Sequence, residues 1–80
     1  MDLEQILERV IELAREQFPN AGTDLGAEST ASQVASWNSL SHVMLVTAIE
    51  KEFGVKFDLL QMIGMKSLGD ISRATLEALK

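Results

Sequence analysis

Trp37-Asn38-Ser39-Leu40-Ser41-His42, running on as Val43-Met44-Leu45-Val46-Thr47-Ala48-Ile49-Glu50-Lys51-Glu52-Phe53-Gly54-Val55-Lys56-Phe57, is the stretch on which the fold turns. Asn38 is a good helix N-cap, Ser39 takes the first helical position, and Gly54 can end the helix in a left-handed conformation. The spacing predicts an amphipathic helix from Ser39 to Phe53 with two stripes. His42, Leu45, Val46, Ile49 and Phe53 form an inward stripe. Leu40, Val43, Met44 and Thr47 form an adjacent one that so small a chain would struggle to bury fully, and apolar side chains left exposed beside one serine mark a docking surface.

Upstream of this helix the composition changes. From Pro19 to Asn38 glycine, alanine, serine, threonine and asparagine dominate, with Leu25, Val34 and Trp37 as the apolar anchors. That is a loop of about twenty residues, a length that inside a compact fold usually carries function. Before it, Leu3, Ile6, Leu7, Val10, Ile11, Ala14 and Phe18 recur at helical steps behind Asp2, a plausible N-cap. They predict a first helix over 3–17 that stops ahead of Pro19. Glu12 and Arg15 are placed to pair along it.

Downstream, Asp58-Leu59-Leu60-Gln61 opens a short helix that Gly64 can close. Ser67 caps a last helix with Asp70 at its third position and Leu68, Ile71, Thr75, Leu76 and Leu79 on its apolar side. The expected fold is all-α: a small four-helix bundle, three longer helices and one short, with the long loop between the first and second. Residues 1–80 are expected to form a single domain.

Composition narrows the function classes. The 80 residues are 46% hydrophobic and contain no cysteine, so disulfides and thiolate metal sites are excluded and helix packing must supply stability. The formal net charge of −5 argues against nucleic-acid binding. Its acids are concentrated before residue 38, in Asp2, Glu4, Glu8, Glu12, Glu16, Asp24 and Glu28, whereas 39–80 is balanced. The acidic start lacks a secretory signal, and no stretch approaches the roughly 18–20 apolar residues of a membrane span. A soluble, cytoplasmic monomer is expected.

A serine at a helix start is ordinarily structural. Placed after a long loop, however, the Ser39 hydroxyl is expected to be exposed, and a helix N-terminus favours a phosphate bonded there. The run from Trp37 to Phe57 resembles the modification helix of acyl carrier proteins, whose Asp-Ser-Leu motif bears a phosphopantetheine arm. The order of helices along the chain is compatible with that family throughout.

The resemblance implies a carrier and not an enzyme. Phosphopantetheine, derived from coenzyme A, would be attached covalently to Ser39 by a separate phosphopantetheinyl transferase. Acyl-transferring or acyl-condensing enzymes would be the other partners, docking on Asn38, Leu40, Val43, Met44 and Thr47. The cargo would be an acyl thioester in a specialised fatty-acid, polyketide or related pathway.

Two departures matter. Asn38 stands where the family has aspartate, and it caps a helix equally well but offers no charge to a basic transferase, so modification is expected to be slower. Ser41 and Met44 stand where acids are often found, which weakens electrostatic steering and favours apolar contact.

The alternatives are a free-standing peptidyl or aminoacyl carrier, and an unmodified helical protein-interaction module, which Asn38 favours. His42, three residues after Ser39, forms no catalytic pair by itself, since an orienting acid and oxyanion donors are lacking. A hydrogen-bonded core or boundary histidine is the expected role, and a metal site is not expected. Met44, Met62 and Met65 could line a pocket for an acyl chain, with simple core packing at least an equal reading for Met62 and Met65. Trp37 would pin the end of the loop and hold Ser39 outward.

Overall fold

The structure is a computed structural model and describes residues 2–18, 25–34 and 36–80. Four helices follow one another: α1 (Leu3–Gln17), α2 (Ser39–Phe53), α3 (Leu59–Gly64) and α4 (Leu68–Leu79). Each starts at the residue whose side chain can cap it. The first N–H groups of a helix have no intrahelical acceptor. Asp2 Oδ1 accepts from Gln5 N at 2.9 Å, Asp58 Oδ1 from Gln61 N at 2.8 Å, and Ser67 Oγ from Asp70 N at 3.1 Å. The Asp58 box is reciprocal, as its sequence predicts, with Asp58 N donating to Gln61 Oε1 at 3.0 Å.

α1 packs against both α2 and α4, and α2 against α4, so that one apolar cluster lies between the three long helices. Ile6, Val10, Leu13 and Ala14 are the buried residues of α1. Leu13, which the periodicity left out of the core, is buried, and Leu3, which it counted in, is exposed, while Leu7 and Ile11 pack at the margin. On α2, Leu45, Val46 and Ile49 face the core as expected. α4 contributes Leu68 and Ile71, with Thr75 and Ser72 also buried; their hydroxyls donate to Ile71 O and Leu68 O, each at 2.8 Å. Those bonds remove the cost of burying a hydroxyl among apolar groups.

Gly54 closes α2 at φ 67°, ψ 35°, with its N–H on Glu50 O. Only glycine adopts that conformation without strain. Glu50 Oε2 then accepts from Phe57 N at 2.8 Å, which fixes the turn into α3. Gly64 plays no such part. It is the last residue of α3, and the cap is Met65 in an extended conformation, its N–H on Met62 O.

Pro19, expected to end α1, and residues 20–24 of the loop lie outside the described residues. The remainder of the loop is tied down. Leu25, Val34 and Trp37 are buried, as the apolar spacing predicts. Ser29 O accepts from Leu68 N at 3.1 Å and Ala27 O from Gly69 N at 2.8 Å, so the loop satisfies the first turn of α4. Gly69 is required by this approach, because a Cβ there would stand 2.9 Å from Ala27 O. A lone antiparallel bridge between Thr30 and Ser67 is the nearest thing to a strand among the described residues.

Arg9 joins α1 to α2 through Glu52 at 2.9 Å and also takes Glu12 at 2.9 Å. Glu12 therefore pairs with Arg9 and not with Arg15. The Arg9 hydrogen bond holds the Glu52 carboxyl below its ordinary range.

Candidate functional site

The start of α2 is built so that one of its two serines is consumed and the other is left over. Asn38 Oδ1 accepts from Ser41 N at 3.0 Å, and Ser41 Oγ accepts in return from Asn38 N at 2.8 Å. Ser41 Oγ also donates to Ser36 O at 2.7 Å. Ser41 is thus turned inward and buried, a role that reading it as a stand-in for an exposed acid had missed. Ser39, the first helical residue, is exposed, and its hydroxyl has no hydrogen-bond partner among the described residues. The remaining first-turn N–H groups and the helix dipole make this end of a 15-residue helix favourable to an anion bonded at Ser39.

Trp37 fixes the approach to the site. It is 4% exposed, stacks on Phe18 at 5.1 Å between ring centroids, and stacks on His42 at 5.9 Å. Its Nε1–H donates to His42 Nδ1 at 3.0 Å. That bond leaves the imidazole proton on Nε2, which donates to Met62 O at 2.8 Å. Both ring nitrogens of His42 are engaged, and neither with Ser39. The boundary histidine expected from the sequence is what the geometry shows, and the Ser39-His42 pair does not form.

A groove of about 670 Å³ opens beside Ser39 between α2, α3 and the loop. Ser39 and Asn38 lie at it, Trp37, His42 and Val43 form one side, and Leu59, Met62, Ile63 and Met65 the other, with Ala31 and Lys66 completing the lining. Its size and apolar lining are those of a small-ligand site. Met62 and Met65 line it, and both also serve the core, Met65 within it and Met62 at its margin. Met44 does not; it is half exposed on the outer face of α2.

Leu40, Val43, Met44 and Thr47 are all exposed, Leu40 to 71%. The structure adds Leu59, Leu60 and Ile63 from α3, with Leu60 80% exposed. The signal was present in the sequence as an apolar run behind the Asp58 cap. What could not be seen is that a helix so short buries none of its side chains fully and packs only Met62 against the core. Among the described residues no cluster of three or more metal-ligating side chains occurs, and no helix is long and apolar enough to cross a membrane.

A family model described as the phosphopantetheine attachment site matches residues 2–75. The chain belongs to this family, that of the acyl carrier proteins. An acyl carrier protein from Saccharopolyspora erythraea is 29% identical over 77 residues, covering 96% of this chain and 81% of that protein. The solution structure of a holo acyl carrier protein from Geobacter metallireducens is similar in fold, with a TM-score of 0.80 and 27% identity over 91% of this chain and 84% of that one.

The all-α fold is that of an acyl carrier protein, and the prosthetic group is phosphopantetheine. The described residues suit such a group: an exposed hydroxyl without an internal partner, at the N-terminus of a long helix, beside an apolar groove.

Proposed function

We propose that this carrier protein bears its phosphopantetheine on Ser39 Oγ and presents acyl groups to partner enzymes. The observation that carries the reading is the contrast at the start of α2. Ser41 spends its hydroxyl on Ser36 O and Asn38 N, whereas the Ser39 hydroxyl is spent on nothing among the described residues. When attached, the arm supplies a terminal thiol on which an acyl group is held as a thioester.

The residues of the chain do the rest. The helix N-terminus stabilises the phosphodiester charge, and Asn38 and Ser41 hold the turn that presents it. Trp37, Val43, Met62, Ile63 and Met65 offer apolar shelter to a chain folded back into the groove. That lining favours an acyl chain over a charged aminoacyl cargo. Partner enzymes, among them the transferase that moves the arm from coenzyme A, dock on Asn38, Leu40, Val43, Met44 and Thr47, joined by Leu59, Leu60 and Ile63. With no acid in the first turn of α2, contact there is mainly apolar, as suits a specialised pathway with its own partners. The chain itself catalyses nothing, acts as a monomer, and works in the reducing cytoplasm where a free thiol persists.

Incubation with coenzyme A, magnesium and a promiscuous phosphopantetheinyl transferase tests this by intact mass. Wild type should gain one phosphopantetheine and Ser39→Ala none. An unmodified wild type beside a fully modified control carrier would contradict the proposal.

A further inference from the structure

α3 is an unusual wall for a groove, because none of its residues is buried. Its caps are internal: Asp58 and Gln61 bond to each other, and Met65 N donates to Met62 O at 3.2 Å. Among the described residues a single hydrogen bond ties α3 to the rest of the fold, from His42 Nε2 to Met62 O at 2.8 Å. A carbonyl oxygen has two lone pairs, and Met62 O, which gives one to Met65 N, has the other to offer the imidazole.

The other nitrogen of that imidazole is equally committed. Nδ1 accepts from Trp37 Nε1 at 3.0 Å, and the ring lies within 20° of parallel to the indole, which is itself buried on Phe18. A neutral imidazole has one donor and one acceptor, and here each has a partner on a different piece of the chain. The ring cannot turn without losing both bonds. Its orientation is therefore set by the core, and the position of α3 is set by the ring.

We propose that His42 is a positioning residue, the latch that holds α3 as the movable wall of the groove beside Ser39. With the latch closed, Met62 and Ile63 face Trp37 and Val43 across a space of about 670 Å³. With it open, α3 gives up no fully buried side chain when it swings, only the half-buried contact of Met62 with the margin of the core, so the groove can widen for a bulkier chain at the expense of that contact and one bond. The use of the groove rests on the proposed carrier function. The latch does not, being a property of the chain without any arm.

Amide hydrogen exchange of Met62, Ile63, Gly64 and Met65 on the unmodified chain tests it with three substitutions. His42→Gln keeps a donor near the Nε2 position, His42→Asn keeps an acceptor near the Nδ1 position, and His42→Leu keeps apolar bulk alone. α3 protection should stay within about twofold of wild type in His42→Gln and fall roughly fivefold to tenfold in His42→Asn and His42→Leu, with the amides of α1 and α4 unchanged. The Trp37 indole N–H resonance should move in His42→Gln and His42→Leu and hold in His42→Asn. Full α3 protection in His42→Leu, an equal loss in His42→Gln, or a loss spread evenly over α1 and α4 would each show that His42 only packs, and would overturn the latch.

Discussion

Replacing Ser41 by alanine and Ser39 by alanine should have opposite consequences, although the two serines stand two residues apart. Ser41→Ala deletes an acceptor for Asn38 N at 2.8 Å and a donor to Ser36 O at 2.7 Å. Ser41 is 9% exposed, so water reaches the abandoned partners poorly. Each bond is worth about 1 kcal/mol net, and breaking a capping interaction falls in the same range, so the loss is about 2 kcal/mol. The better helix propensity of alanine returns roughly 0.5 kcal/mol. A net loss of about 1.5 kcal/mol lowers the Tm of so small a chain by roughly 6–12 °C.

Ser39→Ala removes an exposed hydroxyl without a described partner and should change stability by less than about 0.5 kcal/mol. Urea denaturation followed by far-ultraviolet circular dichroism measures both, with an unchanged slope expected for each. Modification should sort them the other way: Ser41→Ala still accepts phosphopantetheine when folded, and Ser39→Ala does not. If Ser41→Ala were as stable as wild type, or Ser39→Ala fell as far, the division of labour between the two serines would be refuted.

Gly69→Ala should cost about 1–2 kcal/mol in urea denaturation, since the new Cβ meets Ala27 O at 2.9 Å and the helix-propensity gain offsets only part of that overlap; a stabilised variant would show that the loop moves away freely. The Asp70 carboxyl lies below its ordinary range, held there chiefly by Lys66 N–H at 3.0 Å and then by Arg73 at 2.6 Å. A depressed folded-state pKa stabilises above the ordinary aspartate range and is lost as pH falls through the folded value. Asp70→Asn should therefore lessen the fall of the urea midpoint below about pH 4, and an unaltered pH profile would contradict the assignment. Asn38→Asp keeps the cap and adds a charge, so modification by the transferase should be faster with a stability change within about 0.5 kcal/mol; an equal rate would remove the role given to the missing charge.

The helix starts were legible because cap chemistry is local: Asp2, Asn38, Asp58 and Ser67 each bond within three residues of themselves. The two faces of α2 were legible for a similar reason, since a helical period sorts Leu45, Val46 and Ile49 from Leu40, Val43 and Met44 whatever they pack against. What was not legible depends on partners distant in sequence. Ser41 turns inward because Ser36 O waits for it, and a small polar residue carries no periodic signal of that. Leu13 is buried and Leu3 exposed because the end of α1 beside Phe18 is enclosed while its start is open. Gly69 is fixed by a carbonyl of residue 27, and His42 by a carbonyl of residue 62. Glu12 and Arg9 are within reach on one helix, and Arg9 was selected because Glu52 of α2 engages it from the other side.

The position of the phosphopantetheine is decided most directly by proteolysing the modified chain and fragmenting the peptide that spans 36–51, which contains Ser36, Ser39 and Ser41. All of the added mass should localise to Ser39. Mass on Ser36 or Ser41, or none on this peptide in a chain known to be modified, would contradict the central claim that the exposed serine at the start of α2 is the attachment site.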